Sequence, residues 1–318
     1  MSEALWRQSS RELLRALRGP RSQVAFARRL GFRSNVPAAW EGGHRCPRTA
    51  EVIRVAGRVG VDVGAAVSRF HPPAGGVFDH ENIGPWLREL QGQTTTAELA
   101  ERAGCTAPQL RRWLSGRASP RLFQLLAVVD GLTGRAPDLV GELVDIEQVP
   151  SLAPRWRAAR TQRRLAFQHP WTAAVRILVE ARPVPAEGAA QVLGQRLGQP
   201  PALLQEALDL LVSHGLLCEE GGLLRASGEM TVDMRPSAED RHRLRAHWAR
   251  VGAERVAAGL PDLFSFSLVA VSRADLDTIR QLQRRYFREL RGIVAASSPS
   301  EVGALILAQV AEWPTEDP

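Results

Sequence analysis

The sequence predicts a mainly α-helical chain: two tandem helix-turn-helix units, then a winged-helix-like domain and a small α/β region. Three observations carry that prediction. Residues 14–48 align with residues 87–121 at a constant offset of 73, with no gap. Apolar residues in both copies recur at helical spacing and are punctuated by Gly and Pro. After Trp171 the pattern reads helix, helix, helix, then a hairpin tipped by Gly221-Gly222. The predicted order is a first helix-turn-helix domain over 1–72, a second over 78–147 and an Arg-rich linker over 148–170. A winged-helix-like domain over 171–235 and an α/β dimerisation or sensing region over 236–318 complete it.

The duplication is the strongest signal. Eleven of 35 aligned positions are identical, including Leu14/Leu87, Arg15/Arg88, Gly31/Gly104, Trp40/Trp113, Gly43/Gly116, Pro47/Pro120 and Arg48/Arg121. A repeat of this length is too short for a catalytic domain. Its internal spacing is a small residue, a glycine four later and an aromatic nine beyond (Ala27, Gly31, Trp40), which suits a helix-turn-helix.

Composition narrows the function. All 41 basic residues are arginine, so phosphate-loop, Schiff-base and general-base lysines are absent. No G-x-S-x-G, H-E-x-x-H or Gly-rich dinucleotide fingerprint occurs. Cys46, Cys105 and Cys218 lie far apart, without the spacing of a metal site or disulfide framework. No run of 18 apolar residues and no signal-peptide core is present, so the expectation is a soluble cytoplasmic protein, not an enzyme, with no cofactor, no metal and no membrane. Charge is uneven: residues 1–70 hold 13 Arg against 5 acidic residues, net +8, whereas 71–150 come to −3 and 151–318 to +2. The basic excess sits on the first repeat, as expected of a unit that meets phosphate.

In that repeat Ser9–Arg18 reads as a first helix with Leu13, Leu14 and Leu17 on one face, broken by Pro20. Ser22 can cap a second helix, Gln23–Leu30, with Phe26 and Leu30 inward. Gly31 supplies the turn, since it tolerates positive φ. A third helix runs from about Ser34 to Glu41, with Pro37 in its first turn, where the missing N–H costs nothing.

The segment SQVAFARRLGFRSNVPAAWEGG resembles the phage-repressor (lambda-repressor-like) type of helix-turn-helix, and the match spans almost the whole of each repeat. The resemblance implies that Gln23 grips phosphate, that Ser34, Asn35 and Ala39 face base edges, and that Trp40 packs inward. Asn suits adenine N6/N7, making Asn35 the leading base reader, although the same side chain would serve as a helix cap. Ala39 can at most touch a thymine methyl. Arg33, Arg45 and Arg48 flank the helix and would neutralise phosphates; taken singly, each is equally a solvated surface charge.

The second repeat keeps the scaffold (Leu99, Ala100, Gly104, Leu110, Trp113) and changes the reading surface. Gln23 becomes Thr96, Ser34 becomes Ala107, Asn35 becomes Pro108 and Ala39 becomes Arg112. Thr106 can cap its third helix. The candidate donors are Gln109, Arg111 and Arg112, with Arg117 and Arg121 nearby. The other reading of this unit is a duplicate kept for packing or dimerisation.

Residues 148–170 read as a proline-bounded linker whose five arginines would track a DNA backbone or simply be solvated. Beyond it, Val175, Leu178 and Val179 line one helix, Pro185–Leu197 forms a second, and Pro201–His214 a third with Leu204, Leu208, Leu211 and Val212 inward. The outward residues of the third are Gln205, Glu206 and Asp209, whose carboxylates repel phosphate, so this domain is not expected to read DNA. Ser237 and Ser272 cap two further helices. DLFSFSLVAVS (262–272) and EVGALILAQVAEW (301–313) read as strands. Between them Leu276, Ile279, Leu282, Tyr286, Phe287, Leu290, Ile293 and Val294 form an apolar stripe read as core. The R-x-Y-F-R-E-L segment (284–290) and the closing strand are similar to the C-terminal region of a family of bacterial regulators of unknown effector.

The expected function is sequence-specific binding of double-stranded DNA by a homodimeric transcriptional regulator, with residues 171–318 pairing the chains and holding any small-molecule or protein effector. The alternative of another class is a protein-interaction or antitoxin-like module whose helical units serve a partner protein.

Overall fold

The structure, a computed structural model, describes residues 2–92, 94–227, 238–260, 262–297 and 299–313. It is mainly helical with one three-stranded sheet. The chain divides into two compact units between Arg157 and Ala158.

The first unit contains both repeats. Helices α1 (Glu3–Arg18), α2 (Gln23–Arg29), α3 (Val36–Glu41), α4 (Thr49–Arg58) and α5 (Val63–Phe70) are followed by a short α6 (Pro72–Gly75). Then come α7 (Gly84–Gln91), α8 (Thr96–Arg102), α9 (Ala107–Leu114), α10 (Leu122–Thr133) and α11 (Ala136–Leu143). The bounds of α8 and α11 repeat those of α2 and α5 at the offset of 73, so the duplication runs through five helices and well past residue 48. Helices α2 and α5 start where a side chain caps them: Ser22 Oγ accepts the N–H of Ala25 at 3.2 Å, and Asp62 Oδ1 that of Ala65 at 2.9 Å.

The repeats share their cores. Leu122, Phe123, Leu126, Ala136 and Val140 of the second are buried with Leu13, Leu14, Trp40 and Val52 of the first. Reciprocally, Val67 and Phe70 of the first join Trp86, Leu87, Leu110 and Trp113 of the second. Burying these side chains against one another supplies the main stabilisation, about 1.5–3 kcal/mol for each large apolar group.

The linker expected over 148–170 is instead mostly helix α12, Ala153–Gln168. Pro154 falls in its first turn, where proline is tolerated, so it starts the helix instead of interrupting it. The residues before it are anchored: Val149, Leu152 and Ala153 are buried, and the Ser151 N–H donates to Glu12 Oε2 at 2.9 Å. Arg155 Nη1 donates to both carboxylate oxygens of Asp130 at 2.9 Å. That arginine is therefore structural.

In the second unit α13 (Trp171–Ala181), α14 (Ala189–Leu197) and α15 (Pro201–Ser213) pack around Val175, Val179, Leu193, Leu204, Leu208 and Leu211. Strands β1 (Val184–Pro185), β2 (Leu217–Glu220) and β3 (Leu223–Ala226) form an antiparallel sheet in the order β1-β3-β2. Two details differ from expectation. Val184 and Pro185 pair with Leu224 and Leu223, so the second helix begins at Ala189 and not at Pro185. Val212, expected inward, is 47% exposed, one position past the buried Leu211 on a helix with a narrow apolar stripe.

Helices α16 (Ala238–Ala257) and α17 (Arg273–Ala296) follow. Ser272 caps α17, accepting the Asp275 N–H at 3.1 Å, while Ser237 lies outside the described residues. Among the described residues, 262–272 and 301–313 are not strands, and the expected α/β arrangement does not form. Their β-branched and aromatic content fits a half-buried sheet, but that preference needs neighbouring strands, and the sheet's own three strands pair with one another. Leu263 is 98% and Phe266 89% exposed. Residues 301–313 track α17 through polar contacts: Gln283 Nε2 donates to the Ala308 carbonyl at 2.7 Å and Arg280 Nη2 to Glu312 at 2.8 Å. The α17 stripe read as core has Leu282, Tyr286, Ile293 and Val294 exposed. No helix among the described residues is long and apolar enough to cross a membrane.

Candidate nucleic-acid interface

Helix α3 is short, and its position is fixed by contacts at both ends. Gly31, at φ 79°, turns the chain between α2 and α3, and its equivalent Gly104 does so at φ 62°. Trp40 is buried at 1% exposure with Phe32 edge-on to it, ring centroids 5.4 Å apart; Trp113 is its buried equivalent. At the C-terminal end Arg15 Nη2 donates to the Glu41 carbonyl at 2.9 Å, and Arg88 donates to the carbonyl of the equivalent Leu114. These bonds satisfy carbonyls that a helix end leaves without partners.

The Glu41 side chain is buried and fully engaged. Arg18 Nε and Nη2 donate to its two oxygens at 2.7 and 3.2 Å, and Gln23 Nε2 donates to Oε2 at 2.9 Å. Gln23, the expected phosphate grip, is thus half-buried with its amide group held by α3. The second repeat solves the same packing without charge: Leu114 replaces Glu41, and Gln91 Nε2 reaches the Thr94 carbonyl at 2.8 Å and Thr96 Oγ1 at 3.4 Å.

At the start of α3, Arg33, Ser34 and Asn35 are exposed, and Ala39 is half-exposed one turn on. Asn35 is the N-cap; its Oδ1 accepts the Ala38 N–H at 3.4 Å, so α3 begins at Val36 and not at Ser34. The cap uses the side-chain oxygen, and the NH₂ group of this exposed residue makes no hydrogen bond among the described residues. Arg45 and Arg48 are exposed beyond the helix; Arg45 Nη2 meets Glu51 Oε1 at 3.0 Å, and Glu51 Oε2 accepts the Arg48 N–H at 2.7 Å.

In the second repeat Thr106 Oγ1 caps α9, accepting the Gln109 N–H at 3.3 Å, so α9 starts two residues earlier in register than α3. Gln109 is half-buried, while Arg111, Arg112 and Arg117 are exposed and make no ion pair among the described residues. Arg121 is exposed but ordered, its Nη1 donating to the Cys46 carbonyl at 2.6 Å. Thr95 and Glu98 close the start of α8 reciprocally, and the Thr95 backbone and hydroxyl hydrogen bonds lower the Glu98 pKa.

The structure thus places Arg33, Ser34, Asn35 and Ala39 at one helix start and Gln109, Arg111 and Arg112 along another, with Arg45, Arg48, Arg117 and Arg121 beyond their ends. What sequence reading missed is the positioning pair Arg15 and Arg88 and the buried Glu41. The identity of Arg15 with Arg88, unexplained by any apolar face, was the available signal. Among the described residues no group of three or more His, Cys, Asp or Glu could hold a metal, and Cys46, Cys105 and Cys218 are free thiols. Comparison with protein-family models, curated proteins and solved structures finds no match.

Proposed function

We propose that the chain is a sequence-specific, double-stranded-DNA-binding transcriptional regulator whose first unit carries two repressor-like helix-turn-helix readers, α2–α3 and α8–α9. The observation that carries the reading is the pair of equivalently held short helices, each exposing donors beside arginines that project into solvent. Asn35 and Ser34 serve base edges at α3; Arg112 and Gln109 serve them at α9. Arg33, Arg45, Arg48, Arg111, Arg117 and Arg121 meet phosphates.

The three helices and the β1-β3-β2 sheet of the second unit read as a winged helix. Its α15 turns Gln205, Glu206 and Asp209 outward, so we assign it no role at phosphate. The exposed apolar segments 262–272 and 301–313 favour a protein partner for this unit, and we assign it to pairing two chains or to receiving an effector. The reading that the helical units serve a protein partner throughout is separated from ours by one experiment. Titration of the full chain into labelled random duplex at increasing salt tests it: our reading requires binding that weakens steeply with salt, whereas salt-insensitive or absent binding refutes it.

A further inference from the structure

The two repeats are not beads on a string. Residues Arg48 and Arg121 face each other in an isolated antiparallel bridge. The Thr49 N–H donates to the Pro120 carbonyl at 2.9 Å, and the Leu122 N–H to the Pro47 carbonyl at 3.0 Å. Exchanging every residue with its counterpart 73 positions away converts each of these bonds into the other. A second contact has the same property: Arg69 Nε pairs with Glu142 Oε2 at 2.7 Å, again between equivalent positions, where α5 packs on α11. Contacts that map onto themselves when the partners are swapped are those of an isologous, two-fold interface. At this seam and where α5 meets α11, the first unit is therefore built as an intramolecular pseudo-dimer with Arg48 and Arg121 on its axis, although α1 packs on α10 more closely than its equivalent α7 packs on α4.

We infer that one chain reads both halves of an inverted, asymmetric DNA site: two unlike half-sites facing opposite ways, one under α3 and one under α9. This rests on the DNA-binding reading above and specifies its ligand. Flexibly tethered duplicates would accept direct repeats; a two-fold pair accepts only inverted ones. Arg48 lies seven residues along the chain from Glu41 and, equally, Arg121 from Leu114. Seven residues span at most about 24 Å, which accommodates the offset of about 17 Å from the axis needed for half-sites one helical turn apart. The axis itself favours a polyanion, because like charges directly opposite on a two-stranded ribbon repel and both arginines are exposed. The asymmetry follows from Ala39 and Arg112, which occupy one register position: an alanine offers contact to a thymine methyl, an arginine a bidentate grip on guanine.

The test is selection of duplexes by the full-length chain from a random pool, followed by stoichiometry on the selected duplex and repetition with Arg112→Ala and Ala39→Arg. Expected are two different elements in inverted orientation about 10 base pairs apart centre to centre, saturated by one chain. Arg112→Ala should erase the guanine preference in one element only, by about 5- to 150-fold, and Ala39→Arg should create it in the other. Both positions face solvent in part or fully, so the fold is expected to survive, with circular dichroism as the check. Selected sites with a single element, with direct repeats, or with two chains needed per element pair overturn the inference while leaving DNA binding intact. Absence of any salt-dependent DNA binding overturns both.

Discussion

Arg15 holds the end of α3 by donating to the Glu41 carbonyl at 2.9 Å, and Arg88 holds α9 in the same way through Leu114. The bond explains why both repeats carry arginine there on a largely exposed position. Replacing Arg15 by alanine leaves a helix-terminal carbonyl without its partner. Solvent reaches the site, so the expected loss is about 1 kcal/mol rather than the larger value of a dry charged bond. Denaturant unfolding of the R15A and R88A chains measures it; equal, small losses are predicted, and no loss in either removes the positioning role.

Trp40 and Trp113 are equivalent core residues at 1% and 3% exposure. Truncating either to alanine leaves a cavity the two interlocked cores cannot collapse into, at a cost of about 3–5 kcal/mol. Because the cores share side chains, one cooperative transition should shift for both variants. A loss below about 1 kcal/mol in either would contradict the duplicated packing.

Asn35 caps α3 with its side-chain oxygen, and we propose that its NH₂ group reads a base. Asn35→Ser keeps a capping oxygen and removes the amide, so site discrimination should fall by about 1–3 kcal/mol with stability nearly unchanged. Asn35→Ala should lose the same discrimination and a further 0.5–2 kcal/mol or so of stability. If Asn35→Ser discriminates between duplexes as well as the parent does, the residue is only a cap.

His247 is wedged edge-on against Trp171 and Trp248, with centroids 5.5 and 4.9 Å away, and among the described residues its Nε2 has no hydrogen-bond partner. Burial lowers its pKa, Arg250 adds to the effect and Glu254 opposes it. Folding therefore favours the neutral ring. The stability it contributes is present above the ordinary histidine pKa of about 6.5 and is lost as pH falls through the lower folded value. Thermal unfolding of the full chain at pH 7.5 and pH 5 should show the second unit losing stability at the lower pH, and His247→Phe should flatten that dependence. An unchanged pH slope in His247→Phe removes His247 as the cause.

The helices of the first unit were legible because the duplication supplied its own internal control: Gly31/Gly104 and Trp40/Trp113 are local signals repeated twice, and Ser22 and Thr106 each mark a cap in one repeat. Pro47/Pro120 and Arg48/Arg121 were visible as identities, but no single repeat requires them. They are explained only by contact between the copies, which helical periodicity does not encode. Gln23 and Asn35 were found as polar residues at a helix start, yet their partners, Glu41 and the Ala38 N–H, depend on how α3 docks. The tail misled for a different reason. Residues 262–272 and 301–313 have the composition of strands, and composition reports the surface a segment would fit rather than whether a neighbouring strand exists.

If this surface binds the DNA backbone as we propose, full-chain binding to a selected duplex must depend on salt. With about six arginines neutralising phosphates, log Kobs should fall linearly with log salt at a slope of about −5, and the Arg48→Ala, Arg121→Ala double variant should reduce that slope by about 2 for every sequence tested. A slope indistinguishable from zero, or one that the double variant leaves unchanged, would show that these arginines do not meet DNA phosphates.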